Sequence, residues 1–239
     1  MPPRMMSLLG ATYGMELVYS FLVIAICVII YFETKQIYRL SSHKGLKYFR
    51  YTFLFFAISY LLKFISRLFL IENNVGNNGL LLLVLLLFTM YTYLMAGIYL
   101  VLSISWKKRK LGLLNKTFLW NLAAIIIVVL TIFLRFPLGY FLFQAIILIY
   151  GIFLLYPRYK KLKGKKDIPL IYVVYPFLLV FWIINILDLF ISNFQITLQI
   201  LIYLFSITLF LSILYKVIKK INIRRWVRKG KGWELFMIS

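Results

Sequence analysis

The chain has 239 residues, of which 64% are hydrophobic and 19% aromatic, and it carries a formal net charge of +22. With a mean hydropathy of +0.94 it is too apolar to leave a water-soluble surface around one globular core. Such a basic charge would suggest a nucleic-acid partner for a soluble protein, but here short basic segments alternate with apolar runs, so we expect no nucleic-acid binding. The composition instead predicts an all-α integral membrane protein.

Side chains typical of metal sites and catalytic sites are scarce. Cys27 and His43 are the only residues of their types, so we expect neither a disulfide nor a His/Cys zinc site with its about four ligands. The sequence contains no recognisable Ser-His-Asp or Cys-His set and no phosphate-binding glycine loop. The six acidic residues are scattered: Glu16, Glu33, Glu72, Asp167, Asp188 and Glu234. We therefore expect no enzyme activity, no metal and no cofactor.

Seven apolar runs predict seven membrane-spanning helices, since about 17–25 apolar residues cross a bilayer. The runs lie at about 16–32, 49–71, 80–106, 117–136, 138–156, 168–190 and 195–215. Four basic clusters hold 24 of the 28 Lys and Arg residues, at 35–50, 107–116, 158–166 and 216–231. Because Lys and Arg beside membrane helices stay in the cytoplasm, we expect an outside amino terminus and a cytoplasmic carboxyl terminus in a multi-pass protein of the cell membrane.

Proline and glycine residues mark the expected helix ends. Residues 72–79 predict a polar outer turn, Pro137 an end of the fourth helix, and Pro157 an end of the fifth. The bundle would thus occupy residues 1–215, followed by a basic tail at 216–239. In that tail, residues 216–229 favour a short amphipathic helix on anionic inner-leaflet lipids, ended by Gly230 and Gly232. A solvated tail without fixed shape is the alternative.

Two segments of the chain align with each other. Matching residues 53–69 to 177–190 from their carboxyl ends sets Arg67 opposite Asp188. The helices would then form a parallel three-plus-one-plus-three duplication, with repeats 16–106 and 138–215 joined by the helix 117–136. Chance similarity is the alternative, because apolar sequences align easily.

The stretch after the first apolar run has a recognisable pattern. Gln36 is followed by an aromatic and basic residues within 35–45. This stretch resembles the loop of PQ-loop proteins, the group that includes the SWEET sugar carriers, in which a Pro-Gln pair closes the first helix of each repeat. Lys35 stands in place of the proline, while the second half keeps Pro157 and has Arg158 in place of the glutamine. The resemblance implies a seven-span, three-plus-one-plus-three carrier.

Polar residues inside the apolar runs are the candidate site residues, because a charge at the bilayer centre costs about 2.5–3.5 kcal/mol. By helical spacing Lys63 and Arg67 share a face of the second helix, as Trp182, Asn185 and Asp188 share a face of the sixth. If the faces meet, Arg67 pairs with Asp188, and Lys63 is left without a partner beside an outward-open pocket that favours an anionic or carbonyl-bearing guest. Interfacial anchoring and a purely structural ion pair are the alternatives.

Small and polar faces on the third and seventh helices add Thr92 and Tyr203 to these candidates, with helix packing as the alternative role. Two functions remain open. A carrier would hold a small polar or anionic solute between the two three-helix halves, whereas a receptor or scaffold would bind a partner protein through the basic cytoplasmic face. A cavity between helices two, three, six and seven would favour the carrier, and solid packing there the receptor or scaffold.

Overall fold

A computed structural model of the protein describes residues 3–41, 44–72, 79–105, 113–134, 137–162, 170–191 and 196–236. Within these residues the chain is all helical, with α1 (Pro3–Ser41), α2 (Lys44–Glu72), α3 (Gly79–Ser105), α4 (Leu113–Phe133), α5 (Pro137–Leu162), α6 (Leu170–Ile191) and α7 (Ile196–Phe236). A described helix covers most of each of the seven predicted segments. The all-α class predicted from composition and apolar periodicity is therefore confirmed.

Five described stretches are long and apolar enough to cross a membrane: Gly14–Lys35, Lys44–Leu70, Gly79–Ser105, Gly139–Tyr156 and Leu198–Lys219. Shorter apolar stretches lie in α4 and α6, at Phe118–Phe133 and Val174–Ile184. The outer surface is also apolar, because large side chains such as Phe21, Phe133 and Phe153 are each more than half exposed. Such a surface is stable against lipid and unfavourable against water, which supports the membrane prediction.

Most helices pack against their neighbours in the chain. α1 packs on α2, α2 on α3, α5 on α6 and α6 on α7. Two further contacts, between α3 and α5 and between α7 and α1, complete a ring of six helices. α4 packs against α3 and α5. The interior bounded by α2, α3, α5 and α6 is where the candidate site lies.

An aromatic cluster packs between α2, α6 and α7. The rings of Phe181 and Phe210 meet edge to face with centroids 4.6 Å apart, and Phe56 lies 6.0 Å from Phe181 and 6.3 Å from Phe210. All three side chains are buried. Edge-to-face pairs of this kind stabilise a core by about 0.5–1.5 kcal/mol each beyond the area that they bury.

Three helices continue beyond the ends expected from the sequence. α1 runs through Lys35 to Ser41, and α5 runs through Pro157 to Leu162, so the prediction that Pro157 ends α5 was wrong. A proline removes one backbone hydrogen bond but keeps a helical φ, so an established helix can continue past it. α7 likewise continues through Gly230 and Gly232 to Phe236. Each glycine costs a helix only about 1 kcal/mol, too little to end it.

Candidate functional site

Three charged side chains form an ion-pair cluster between α1 and α2. Glu16 is buried on α1, with 6% of its side chain exposed. One carboxylate oxygen lies 2.9 Å from Lys63 Nζ and the other 2.8 Å from Arg67 Nε. Lys63 and Arg67 are four residues apart on α2, so they share a face and would repel each other without the common carboxylate.

Glu16 changes the pairing expected from the sequence. The expectation that Lys63 lacks a partner was wrong, because its ammonium binds Glu16. Arg67 also binds Glu16, while the side chains of Asn185 and Asp188 lie outside the described residues, so the Arg67–Asp188 pair stays a prediction. Glu16 could have been identified from the sequence. It precedes the connection between α1 and α2 by nearly as many residues as Arg67 follows it, so the two side chains are expected at the same level along the two antiparallel helices.

A cavity of about 200 Å³ lies beside this cluster, between α2, α3, α5 and α6. An engineered cavity of about 150 Å³ in another protein binds benzene, so this space is large enough for a small solute. Its walls comprise Ser59, Tyr60 and Lys63 from α2, Thr89, Met90 and Tyr93 from α3, Tyr140, Phe141 and Gln144 from α5, and Trp182 from α6. A smaller space of about 20 Å³ shares Tyr93, Gln144 and Trp182 and reaches Gly97 deeper in the bundle.

Gln144 and Trp182 form a polar pair across the cavity wall. The Trp182 indole Nε1–H donates to Gln144 Oε1 at 2.8 Å. Because an indole nitrogen can only donate, this bond fixes which end of the amide faces the tryptophan. Gln144 Nε2 then points away and is buried, with the Tyr140 hydroxyl as its polar neighbour among the described residues. Because an amide nitrogen carries two protons, a contact with Tyr140 leaves at least one of them without a partner there. Gln144 as a whole is 5% exposed.

Most other polar groups on the wall are satisfied within the protein. The hydroxyls of Ser59, Thr89 and Tyr140 donate to the backbone carbonyls of Thr89, Leu85 and Met90, respectively. Tyr60 shares a hydrogen bond with Tyr19. The buried Tyr93 hydroxyl makes no hydrogen bond among the described residues. Tyr93 and Gln144 therefore leave polar groups for an occupant of the cavity.

The predicted site residues divide between three places. Lys63 and Trp182 line the cavity. Thr92 is buried on α3, and its hydroxyl donates to the Phe88 carbonyl of the same helix at 2.9 Å. A buried hydroxyl that is satisfied within its own helix agrees with the alternative role in helix packing. Tyr203 lies on α7, where its ring stacks on Tyr19 with centroids 4.4 Å apart and borders a separate apolar groove of about 400 Å³ between α1 and α7.

The fourth helix that bounds the cavity is therefore α5, and not α7 as expected from the sequence. Gln144 on α5 lines the cavity and was not among the residues predicted from the sequence. A lone glutamine in an apolar run is a signal that could have identified it, because an amide in lipid needs hydrogen-bond partners as a charge does.

Comparisons with known proteins identify a relative of similar length. No protein-family model matches the chain, and no solved structure matches it. An uncharacterized protein from Archaeoglobus fulgidus is 28% identical over 216 residues, which cover 86% of this chain and 92% of that protein. The similarity thus extends over most of the helical bundle and is not confined to one segment.

Proposed function

We propose that the protein is a multi-pass membrane carrier for a small polar or anionic solute, which binds in the cavity beside Lys63. The observation that carries this proposal is the cavity itself. A bundle packed solid between α2, α3, α5 and α6 would hold no solute, whereas about 200 Å³ of space lies there with a cation on its wall. The Lys63 ammonium on that wall attracts an anion, and the attraction is strong in a medium of low dielectric constant.

The aromatic cluster of Phe56, Phe181 and Phe210 supports a carrier over an open channel. These rings pack together between α2, α6 and α7, on the cytoplasmic side of Lys63 in the proposed orientation. A carrier must close one side of its site while the other is open, so a blocked path at this depth is the expected arrangement. With the amino terminus outside, as we propose from the basic clusters, the Lys63 side of the block faces outward.

The proposed parallel duplication would set the cavity between its two halves. Helix contacts occur in corresponding pairs: α1–α2 with α5–α6, α2–α3 with α6–α7, and α3–α5 with α7–α1. α2 and α3 would supply one wall and α5 and α6 the other. This pairing and the PQ-loop-like residues after the first apolar run both support a carrier of three-plus-one-plus-three build, in which the halves rock about the solute.

The test is uptake of radiolabelled solutes by proteoliposomes, with a panel of small anions, sugars, amino acids and amines. We expect at least one polar or anionic solute to enter, and Lys63→Met to abolish its uptake by removing the cation from the wall. Lys47→Met is the matched control, because Lys47 is an exposed lysine of the same helix outside the cavity. Uptake that is equal in the wild type and Lys63→Met would contradict the proposed site.

A receptor or scaffold is the second candidate, and α7 is the observation that favours it. This helix has 41 residues, about twice the number needed to cross a bilayer, and continues past Lys219 to Phe236. The extension contains a cluster of Lys and Arg that could meet an acidic partner protein. If no solute in the panel enters while crosslinking in native membranes captures one stoichiometric partner, the receptor or scaffold replaces the carrier.

A further inference from the structure

We infer that the cavity selects a small carboxylate, whose oxygens accept hydrogen bonds from Lys63, Tyr93 and Gln144. This inference rests on the proposed solute-binding function of the same cavity and names the chemical class of its solute. Three features of the wall support it: hydrogen-bond donors that remain for a ligand, the lack of an anionic side chain among the described lining residues, and the volume of the cavity.

The protons that remain on the wall belong to these three residues. The wall hydroxyls of Ser59, Thr89 and Tyr140 already donate to backbone carbonyls, and the Trp182 N–H donates to Gln144. The Tyr93 hydroxyl is buried without a hydrogen bond among the described residues. Gln144 Nε2 is buried with two protons, of which the neighbouring Tyr140 hydroxyl accounts for at most one. Buried donors of this kind are rare in native proteins, and a ligand acceptor is one of the explanations for them.

Lys63 adds a charged donor to this set. An ammonium has three protons, and the ion pair with Glu16 accounts for one of them. The described ion pair therefore leaves Lys63 with protons that a ligand oxygen could accept at the cavity wall. A charge-assisted hydrogen bond to a carboxylate is about twice as strong as a neutral one, so this contact favours an anion over a neutral carbonyl.

An anionic partner for a cationic ligand is missing among the described residues of the same wall. None of the ten residues that line the cavity is acidic. The carboxylate of Glu16 is beside Lys63, but each of its oxygens already binds a cation. An amine entering the cavity would lose its water, find no anion among the described lining residues, and approach an ammonium. The wall thus discriminates by charge as well as by hydrogen bonding.

The volume of the cavity indicates the size of carboxylate that it can hold. A space of about 200 Å³ is larger than the about 150 Å³ that holds benzene elsewhere, so it can hold a benzene-sized ring with one small substituent. Met90 and Phe141 add apolar atoms to the wall. A ring or short chain with one carboxylate therefore matches both the space and its lining, and benzoate is a suitable probe.

The experiment measures calorimetric binding of three probes of equal size to the full chain in lipid nanodiscs, with empty nanodiscs as the blank. Benzoate carries the anion, benzamide the neutral carbonyl and benzylamine the cation. We expect benzoate to bind at least about tenfold more tightly than benzamide, and benzylamine to give no saturable binding, because one charge-assisted hydrogen bond corresponds to about a factor of ten or more.

Two variants test the donors, and a third is the control. Tyr93→Phe and Gln144→Leu should each weaken benzoate binding about tenfold. Tyr93→Phe is the decisive variant, since it removes a hydroxyl that bonds to nothing described and should leave the melting temperature of the ligand-free protein equal or higher. Gln199→Leu makes the same chemical change as Gln144→Leu on α7, which contributes no described residue to this wall, and should leave benzoate affinity unchanged.

Specific results would overturn the inference. The inference is wrong if benzoate does not bind or if benzylamine binds as tightly as benzoate. It is also wrong if benzoate affinity is unchanged in both Tyr93→Phe and Gln144→Leu, because the two donors would then bind water and not the ligand. Failure of the carrier proposal looks different. Benzoate that binds with the expected dependence on Tyr93 and Gln144, in a protein that transports nothing, would remove the carrier and keep the carboxylate site. Transport of amines alone would keep the carrier and remove the selectivity.

Discussion

Glu16 stabilises two half-buried cations in an apolar helix. Lys63 and Arg67 lie within the apolar stretch Lys44–Leu70, where each unpaired charge would cost about 2.5–3.5 kcal/mol at the bilayer centre. The carboxylate of Glu16 offsets much of that cost and also holds the Lys63 ammonium in place at the cavity. The ion-pair cluster therefore links the stability of the α1–α2 contact to the geometry of the site.

Glu16→Gln should destabilise the protein by about 1–3 kcal/mol. Breaking a fully buried ion pair costs about 3–5 kcal/mol, and the value here is discounted because the Lys63 and Arg67 side chains are each 32% exposed to solvent or lipid. The measurement is the midpoint of thermal unfolding in nanodiscs. Glu33→Gln is the control, because it removes a carboxylate from the same helix for which no ion pair is described.

A double variant separates the ion pair from other effects of the substitution. If the pair is responsible, Lys63→Met should cost less in the Glu16→Gln background than in the wild type, by a coupling energy of about 0.5–3 kcal/mol. Costs that simply add would show that Glu16 and Lys63 do not interact in the membrane.

At the residue scale, sequence spacing found the side chains that share a face but not the partners that they meet. Lys63 and Trp182 were selected by position inside apolar runs, and both line the cavity. Glu16 and Gln144 were missed, because their roles depend on contacts across helices that no periodicity within one helix encodes. Thr92 was selected although its hydroxyl bonds within α3, since any polar residue in an apolar run gives the same signal.

At the scale of elements, a glycine permits the close approach of α5 and α6. The Tyr175 side chain of α6 crosses the surface of α5, and its hydroxyl donates to the Leu148 carbonyl at 2.8 Å. A Cβ at Gly151 would lie 2.6 Å from Tyr175 Cζ, and closer still to its hydroxyl oxygen. The tyrosine is 2% exposed, so its rigid ring has little room to move. The packing of these helices thus depends on the absence of a side chain at residue 151.

Gly151→Ala should therefore destabilise the protein by about 1–3 kcal/mol, the usual cost of overpacking. Gly97→Ala is the matched control, because the nearest atom to its Cβ would be Ile147 Cγ2 at an ordinary 3.9 Å. Alanine is favoured over glycine in a helix by up to about 1 kcal/mol, so the control should be neutral or stabilising. Thermal unfolding of both variants decides the matter, and equal shifts of the same sign would contradict the role assigned to Gly151.

Helix existence was predictable in this chain, while helix ends were not. Long apolar runs between basic clusters predicted each helix, because burial of apolar side chains dominates the choice of structure in such segments. The ends at Pro157 and Gly230 were predicted from local propensities of a few kcal/mol at most. α5 and α7 continue past them to Leu162 and Phe236. A local preference of that size does not decide where a long cooperative helix ends.

At the scale of the whole molecule, the arrangement of helices decides where the site is. The polar face of the seventh helix predicted α7 at the cavity, but α7 packs against α1 and α6, and α5 lies beside α3. Apolar helices present similar surfaces all round, so neither composition nor spacing specifies which of them become neighbours. Shape complementarity in the assembled bundle does, and small contacts such as the one at Gly151 contribute to it.

The charge distribution of the whole chain leads to the last prediction. All four basic clusters would lie on one side of the membrane if every apolar run crosses it, and this requires the two ends of the chain to lie on opposite sides. Single cysteines can test this in a Cys27→Ala background, in which the buried native thiol is absent. In intact cells, a membrane-impermeant maleimide should label a cysteine added before Met1 and one at Asn77. It should label Ser42→Cys and Ser239→Cys only after permeabilisation. Labelling of both ends from outside, or of neither, would contradict an odd number of crossings and with it the outward orientation of the Lys63 cavity.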